Sequence, residues 1–129
     1  MPTILVAAEA KWVRDQIRAA FVGPGQEVVE VTRGQDVRDL VVELGPDLVV
    51  LDLQIGNMGG VATAIDLHLE ESADRSPHVP ILMLLDREAD RFLARRADTE
   101  AELVKPVDAA TLRRVGERLL AGAIDPAGV

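Results

Sequence analysis

The chain has 129 residues, 48% of them hydrophobic, and a formal net charge of −8 at pH 7. That suits one compact domain with a real core. It excludes a largely disordered chain and opposes non-specific binding to nucleic acid or an anionic membrane.

With aromatics at only 2%, the core must be built from Val, Leu, Ile and Ala. Cysteine is absent, so disulfides and thiolate metal sites are excluded, which fits a cytoplasmic protein. The opening MPTILVAAEAK lacks a basic n-region and a cleavage signal, and it reads as a first strand over Thr3–Ala7. A helix over 10–21 follows, with Val13, Ile17 and Ala20/Phe21 at helical spacing, and the GPG at 23–25 stops it. Glu27–Val31 (EVVEV) is a second strand. A helix over 35–44 places Val37, Leu40, Val41 and Leu44 on one face and ends at Gly45-Pro46. The third strand, 48–51, delivers Asp52 at its end. A helix over 61–69 turns Ile65 and Leu69 inward, and 72–78 is a loop. Ile81–Leu85 is a continuous apolar strand. A charged helix over 87–97 opens on Arg87, closes on Ala97 and has Phe92 and Leu93 as its apolar anchors. Ala101–Val104 is the last strand, a helix over 108–121 follows, and 123–129 form a frayed tail to a single domain over 1–122. Charges interrupt every apolar run well short of a bilayer span.

Five strands alternating with five helices predict an α/β fold, an open doubly wound parallel sheet covered on both faces. Ligands of such sheets sit beyond the carboxyl ends of the strands. The residues there are Ala8-Glu9, Asp52, Leu85-Asp86 and Lys105. On residues alone, Asp52 is either a functional acid or a polar strand end. Glu9 can hold a metal or simply favour the positive N-terminus of the first helix. Lys105 can act in chemistry or pair structurally with Asp52 or Asp86. Trp12 either covers the site or packs beside it. His68 and His78 lack metal-ligand spacing and read as surface residues.

The segments ILVAAE (4–9), LDLQIGNMGG (51–60), VPILML (79–84) and LVKP (103–106) together resemble the response-regulator receiver domain, the CheY-like module of two-component signalling. The resemblance covers nearly the whole chain. It implies the flavodoxin-like strand order 2-1-3-4-5. It makes Asp52 the phosphoacceptor and Lys105 its partner and the ligand of the phosphoryl oxygens, with a cis peptide bond before Pro106. Only two of the fourteen basic residues are lysines, which makes a lysine here informative. The resemblance also implies a Mg²⁺ held by acids after the first strand, by Asp52 and by the backbone carbonyl of Gln54, because phosphoryl transfer to a carboxylate gathers negative charge.

Several positions depart from the family pattern. Ala8 replaces one metal-binding acid, and Glu9 is one methylene longer than the usual Asp, so Mg²⁺ binding is expected to be weak. Leu85 stands where a Ser or Thr would meet the phosphoryl group, and Asp86 adds a charge where a small residue is usual. Glu102 stands at the aromatic switch position, where burial of an unpaired carboxylate would be costly. Gly56 replaces a common proline, which predicts a looser loop. The expectation is an atypical single-domain receiver with an incomplete phosphorylation site, acting through a protein partner, a histidine kinase or an output protein. A conventional receiver phosphorylated on Asp52 is the alternative. A flavodoxin-like cofactor binder is disfavoured because AAEAKW has no Gly, Ser or Thr to cradle a phosphate. No Ser-His-Asp or Cys-His arrangement supports an enzyme. Any homodimer is expected through the 87–97 helix, the last strand and the last helix, with the mixed charges of DREADRFLARR pairing across a two-fold axis.

Overall fold

The computed structural model describes residues 2–23, 25–56 and 58–122, and the tail expected to fray lies outside them. Five parallel strands run β1 (Thr3–Ala7), β2 (Glu27–Val31), β3 (Leu48–Asp52), β4 (Ile81–Leu85) and β5 (Ala101–Val104). Their spatial order is β2-β1-β3-β4-β5, as the resemblance implies. The helices are α1 (Lys11–Phe21), α2 (Val37–Leu44), α3 (Gly60–Ser72), α4 (Arg91–Arg96) and α5 (Ala109–Leu120). No helix among the described residues is long and apolar enough to cross a membrane.

The side-chain period of two explains the apolar strands. Ile4, Val6, Val50, Leu82 and Leu84 point to one face and pack with Val13, Ile17 and Phe21 of α1 and Leu112, Val115 and Leu119 of α5. Leu5, Ala7, Val49, Leu51, Met83 and Leu85 point to the other and meet Val37 and Val41 of α2, Ala64 and Leu67 of α3, and Ala94 of α4. Every residue of β3 and β4 is buried, because both faces are covered.

Several expected helices differ in start and phase. The 35–44 and 87–97 helices each open as a 3-10 turn, Gly34–Asp36 and Glu88–Asp90, before becoming α-helical. Ile65 and Leu69 do not face inward; they are 43% and 61% exposed. The inward stripe of α3 is Gly60, Thr63, Ala64 and Leu67. Its phase is set by the start of the helix, where the Gly60 amide donates to the Leu53 carbonyl. Small residues then let the axis lie close to the sheet. The same holds for α4, where Ala94 and Ala97 are buried while Phe92 is 54% exposed. Leu44 is also largely outward at the end of α2. A long apolar side chain is a poor guide to the inner face when small residues such as Ala64 and Ala94 take most of the inward positions.

Between α1 and α5 the fit is tight. A Cβ added to Gly116 would lie 2.4 Å from Cζ of the buried Phe21 ring. Gly116→Ala is therefore expected to destabilise the fold by about 1–3 kcal/mol, because overpacking outweighs the ~1 kcal/mol gain in helix propensity. A urea unfolding curve of the variant with an unchanged or higher midpoint would contradict this.

Candidate functional site

The parallel register brings the strand ends together. Asp52 ends β3, opposite Leu84 of β4. Leu85 stands opposite Val104, so the next residues, Asp86 and Lys105, leave adjacent strands side by side. The Lys105 amide donates to the Leu85 carbonyl at 2.8 Å, which fixes that juxtaposition in the backbone. The Lys105–Pro106 peptide bond is cis. Beyond it, the Gln16 side-chain amide donates to the Val107 carbonyl at 2.6 Å and ties this loop to α1.

Lys105 is the centre of charge. Its Nζ lies 2.7 Å from Asp52 Oδ1 and 3.1 Å from Asp86 Oδ1. Asp52 is almost fully buried, its side chain only 4% exposed, whereas Asp86 is at the rim with 35%. The Gln54 backbone amide also donates to Asp52 Oδ1, at 3.1 Å. The Gln54 side chain also favours the charged form of Asp86. Trp12, 60% exposed, places its ring centroid 5.9 Å from the Lys105 ammonium. The indole thus covers one side of the lysine as a cation–π partner. Burial pushes the Asp86 carboxyl upward, but hydrogen bonds from Gln54 and Lys105 and the charges of Lys105 and Arg87 outweigh it. The group is held below its ordinary value of 3.8.

The residues expected to hold Mg²⁺ fit it poorly. Ala8 is fully buried in the apolar cluster with Ile4, Val6 and Val13 and offers no ligand. Glu9 leans over the loop after β3, where a Cβ on Gly56 would lie 2.6 Å from its Oε1. Asp52 Oδ1 is already engaged by an ammonium. No group of three His, Cys, Asp or Glu residues that could hold a metal ion occurs among the described residues. His68 and His78 sit away from this site. His78 Nδ1 is 2.6 Å from Glu71 Oε1, and His68 Nε2 is 2.9 Å from the Asp98 carbonyl oxygen.

Three local expectations change. Gly56 does not loosen its loop: its carbonyl accepts from the Gly34 and Met58 amides at 3.1 and 2.9 Å, and it forms a parallel bridge with Arg33. The Glu9 carboxylate occupies the space where a side chain at this position would begin, and it would have to swing aside to admit one. Glu102 is not excluded from the interior; it is buried, with its Oε1 3.4 Å from Arg91 Nη1 and 3.8 Å from Arg95 Nη2. Arginines from α4 supply the counter-charge that makes burial tolerable. Most charges of the 87–97 segment are accordingly paired within the chain, Arg91 with Glu88 and Arg87 with Asp90 as well. Pairing across a two-fold axis would have to break these contacts first.

Arg14 is a structural residue that no motif marks. Its guanidinium donates to the Ala8 carbonyl at 3.0 Å, to the Glu9 carbonyl, and to Glu30 at 2.9 Å, bracing the loop after β1. Only its place one turn into α1 hinted at this.

The sequence profile of the response regulator receiver domain matches residues 4–116. The chain belongs to the response regulator receiver domain family. It is 26% identical to the protein PilH of Pseudomonas aeruginosa over 95% of this chain and 100% of that one. It is 29% identical to the DNA-binding dual master transcriptional regulator RpaA of Synechocystis, covering 84% of this chain but 44% of that protein. Among solved structures, a LuxR-family two-component response regulator from Aurantimonas superposes with a TM-score of 0.79 at 26% identity, over 95% of this chain and 86% of that one. Vibrio cholerae CheY4 superposes with a TM-score of 0.78 at 19% identity, over 92% and 98%, a likeness of fold. The receiver is thus a module of two-component signalling. Receiver domains in general are signalling modules that interact with histidine kinases or output domains, and they bind Mg²⁺ at the phosphorylation site.

The depressed Asp86 carboxyl gives this receiver a pH signature. A group with a lowered folded value contributes stability that is present above its unfolded value and lost as pH falls through the folded one. Wild type should therefore be more stable than Asp86→Asn near neutral pH, and the gap should close as pH drops below 3.8. Urea midpoints compared across that range test it; a gap that widens in acid would contradict the pairing.

Proposed function

We propose that this receiver works through a protein partner, with a site whose phosphoryl relay is incomplete. The observation that supports this most is the state of the two positions that would relay a phosphoryl group. Leu85 is fully buried in the core beneath α2, α3 and α4 and has no hydroxyl to offer. Glu102 is held by Arg91 and Arg95, where a movable aromatic would be needed. A ligand shifts an equilibrium only by its differential interaction with the two states, and neither residue gains from a phosphoryl group. A conventional phosphoacceptor is the second reading. Its support is the buried Asp52 carboxylate 2.7 Å from Lys105, the pairing a phosphoacceptor requires.

Incubation with a small phosphodonor and Mg²⁺, followed by intact-mass measurement, tests acceptance at Asp52. Amide spectra with and without a phosphoryl mimic test the relay. Shifts confined to the neighbourhood of Asp52, Asp86 and Lys105 are expected. A hydroxylamine-labile adduct accompanied by shifts throughout α4 and β5 would replace this reading with the conventional one.

Mg²⁺ binding is inferred to be weak, because Ala8 supplies no acid and hard cations need several oxygen ligands. Trp12 fluorescence should saturate only at Mg²⁺ concentrations on the order of millimolar. Saturation at micromolar Mg²⁺ would show that a fuller ligand set assembles than the residues suggest.

A further inference from the structure

We propose that Asp86 is a built-in occupant of this site, an internal anion on Lys105 that decides which free anions can enter. The inference deepens the reading of an incomplete site and rests on it. Three observations carry it. The first is position: the Lys105 amide to Leu85 carbonyl bond places Asp86 beside Lys105 through the backbone. The second is direction. Immediately after Asp86 the chain is fixed by Asp90, buried, which accepts from the Arg87 amide at 3.1 Å and from its guanidinium at 3.2 Å. The turn that follows is therefore anchored, and the Asp86 carboxylate points back to Lys105 at 3.1 Å. The third is the donor set. The Asp86 carboxylate takes the Lys105 ammonium, and the Gln54 side chain favours its charged form. That ammonium is the cation a free oxyanion beside Asp52 would need.

The electrostatic consequence follows from the charges. One ammonium faces two carboxylates, so Asp52, Lys105 and Asp86 together carry a single negative charge. An incoming dianion must displace Asp86 from Lys105 and then remain near it. Repulsion between like charges at this range is strong where water is partly excluded. Removing Asp86 leaves a neutral Asp52–Lys105 pair with a vacant ammonium face. Asp86 thus selects against multiply charged oxyanions, and its removal opens the site to them.

The probe is inorganic phosphate, titrated at constant ionic strength in metal-free buffer and read by Trp12 fluorescence and by amide shifts near Gln54 and Lys105. The proteins are wild type, Asp86→Asn, Asp86→Ala, and Asp86→Ala combined with Lys105→Gln. Asp86 is at the surface, and circular dichroism melts confirm that each variant is folded. Asp86→Ala is expected to bind phosphate at least tenfold more tightly than wild type. Asp86→Asn, which keeps the shape and removes the charge, should fall between them, and the double variant should lose the gain. Equal affinities for wild type and Asp86→Ala would overturn the proposal, as would a gain that survives Lys105→Gln. If phosphate binds Asp86→Ala more tightly and its shifts spread through α4 and β5, the occupant proposal stands and the uncoupled reading falls.

Discussion

A parallel sheet has crossover connections that lay helices on its faces, so its central strands lose contact with water on both sides. In this receiver that constraint governs almost everything else. β3 and β4 are buried along their whole length, and only their carboxyl ends are available for polar chemistry. Asp52 is the price of that arrangement, a carboxylate carried to the edge of a core that cannot solvate it. The Lys105 ammonium at 2.7 Å makes its burial tolerable. The loops around the pair are then held from three directions: Gln16 on the loop after β5, Arg14 on the loop after β1, and Gly56 on the loop after β3.

The same logic accounts for the departures from the family pattern. Removing an acid at Ala8 leaves less negative charge for a metal to screen, and the freed volume joins the apolar cluster of α1 and α5. Adding an acid at Asp86 places negative charge on the other side of Lys105, at the solvent rim. The lysine thus stands between two carboxylates. On the α4 side, Glu102 is paired with arginines, so a charged residue fills a buried position on the edge strand β5 without being left unpaired. Each added charge has a partner of opposite sign within reach, so the fold keeps its usual topology.

Asp52, Lys105 and the five strands were legible because they rest on local rules. Continuous apolar runs bounded by turn residues report strands, and an isolated charge at the end of such a run has few structural reasons to be there. What failed to show was the phase of α3 and α4. Ile65, Leu69 and Phe92 are the larger apolar residues of those helices and look like anchors, yet they face outward. The depth of the gap under a helix is set by the neighbouring layers, and no local pattern records it. Glu102 failed for a related reason: the cost of burying it depends on whether α4 delivers an arginine at the right height.

Taken alone, the sequence determined the α/β class, the number and order of elements along the chain, and the residues gathered at the strand ends. Period-two and helical periodicities and the punctuation of Gly and Pro are local and survive without a partner. Only the tertiary structure decided how the charges combine. It decided that Asp86 reaches Lys105, that Glu9 leans over Gly56, and that Arg91 and Arg95 turn toward Glu102. Those choices depend on distances between segments remote in sequence. Electrostatic energies change steeply over those few ångströms, and chain order leaves the distances open until the sheet brings the strand ends together.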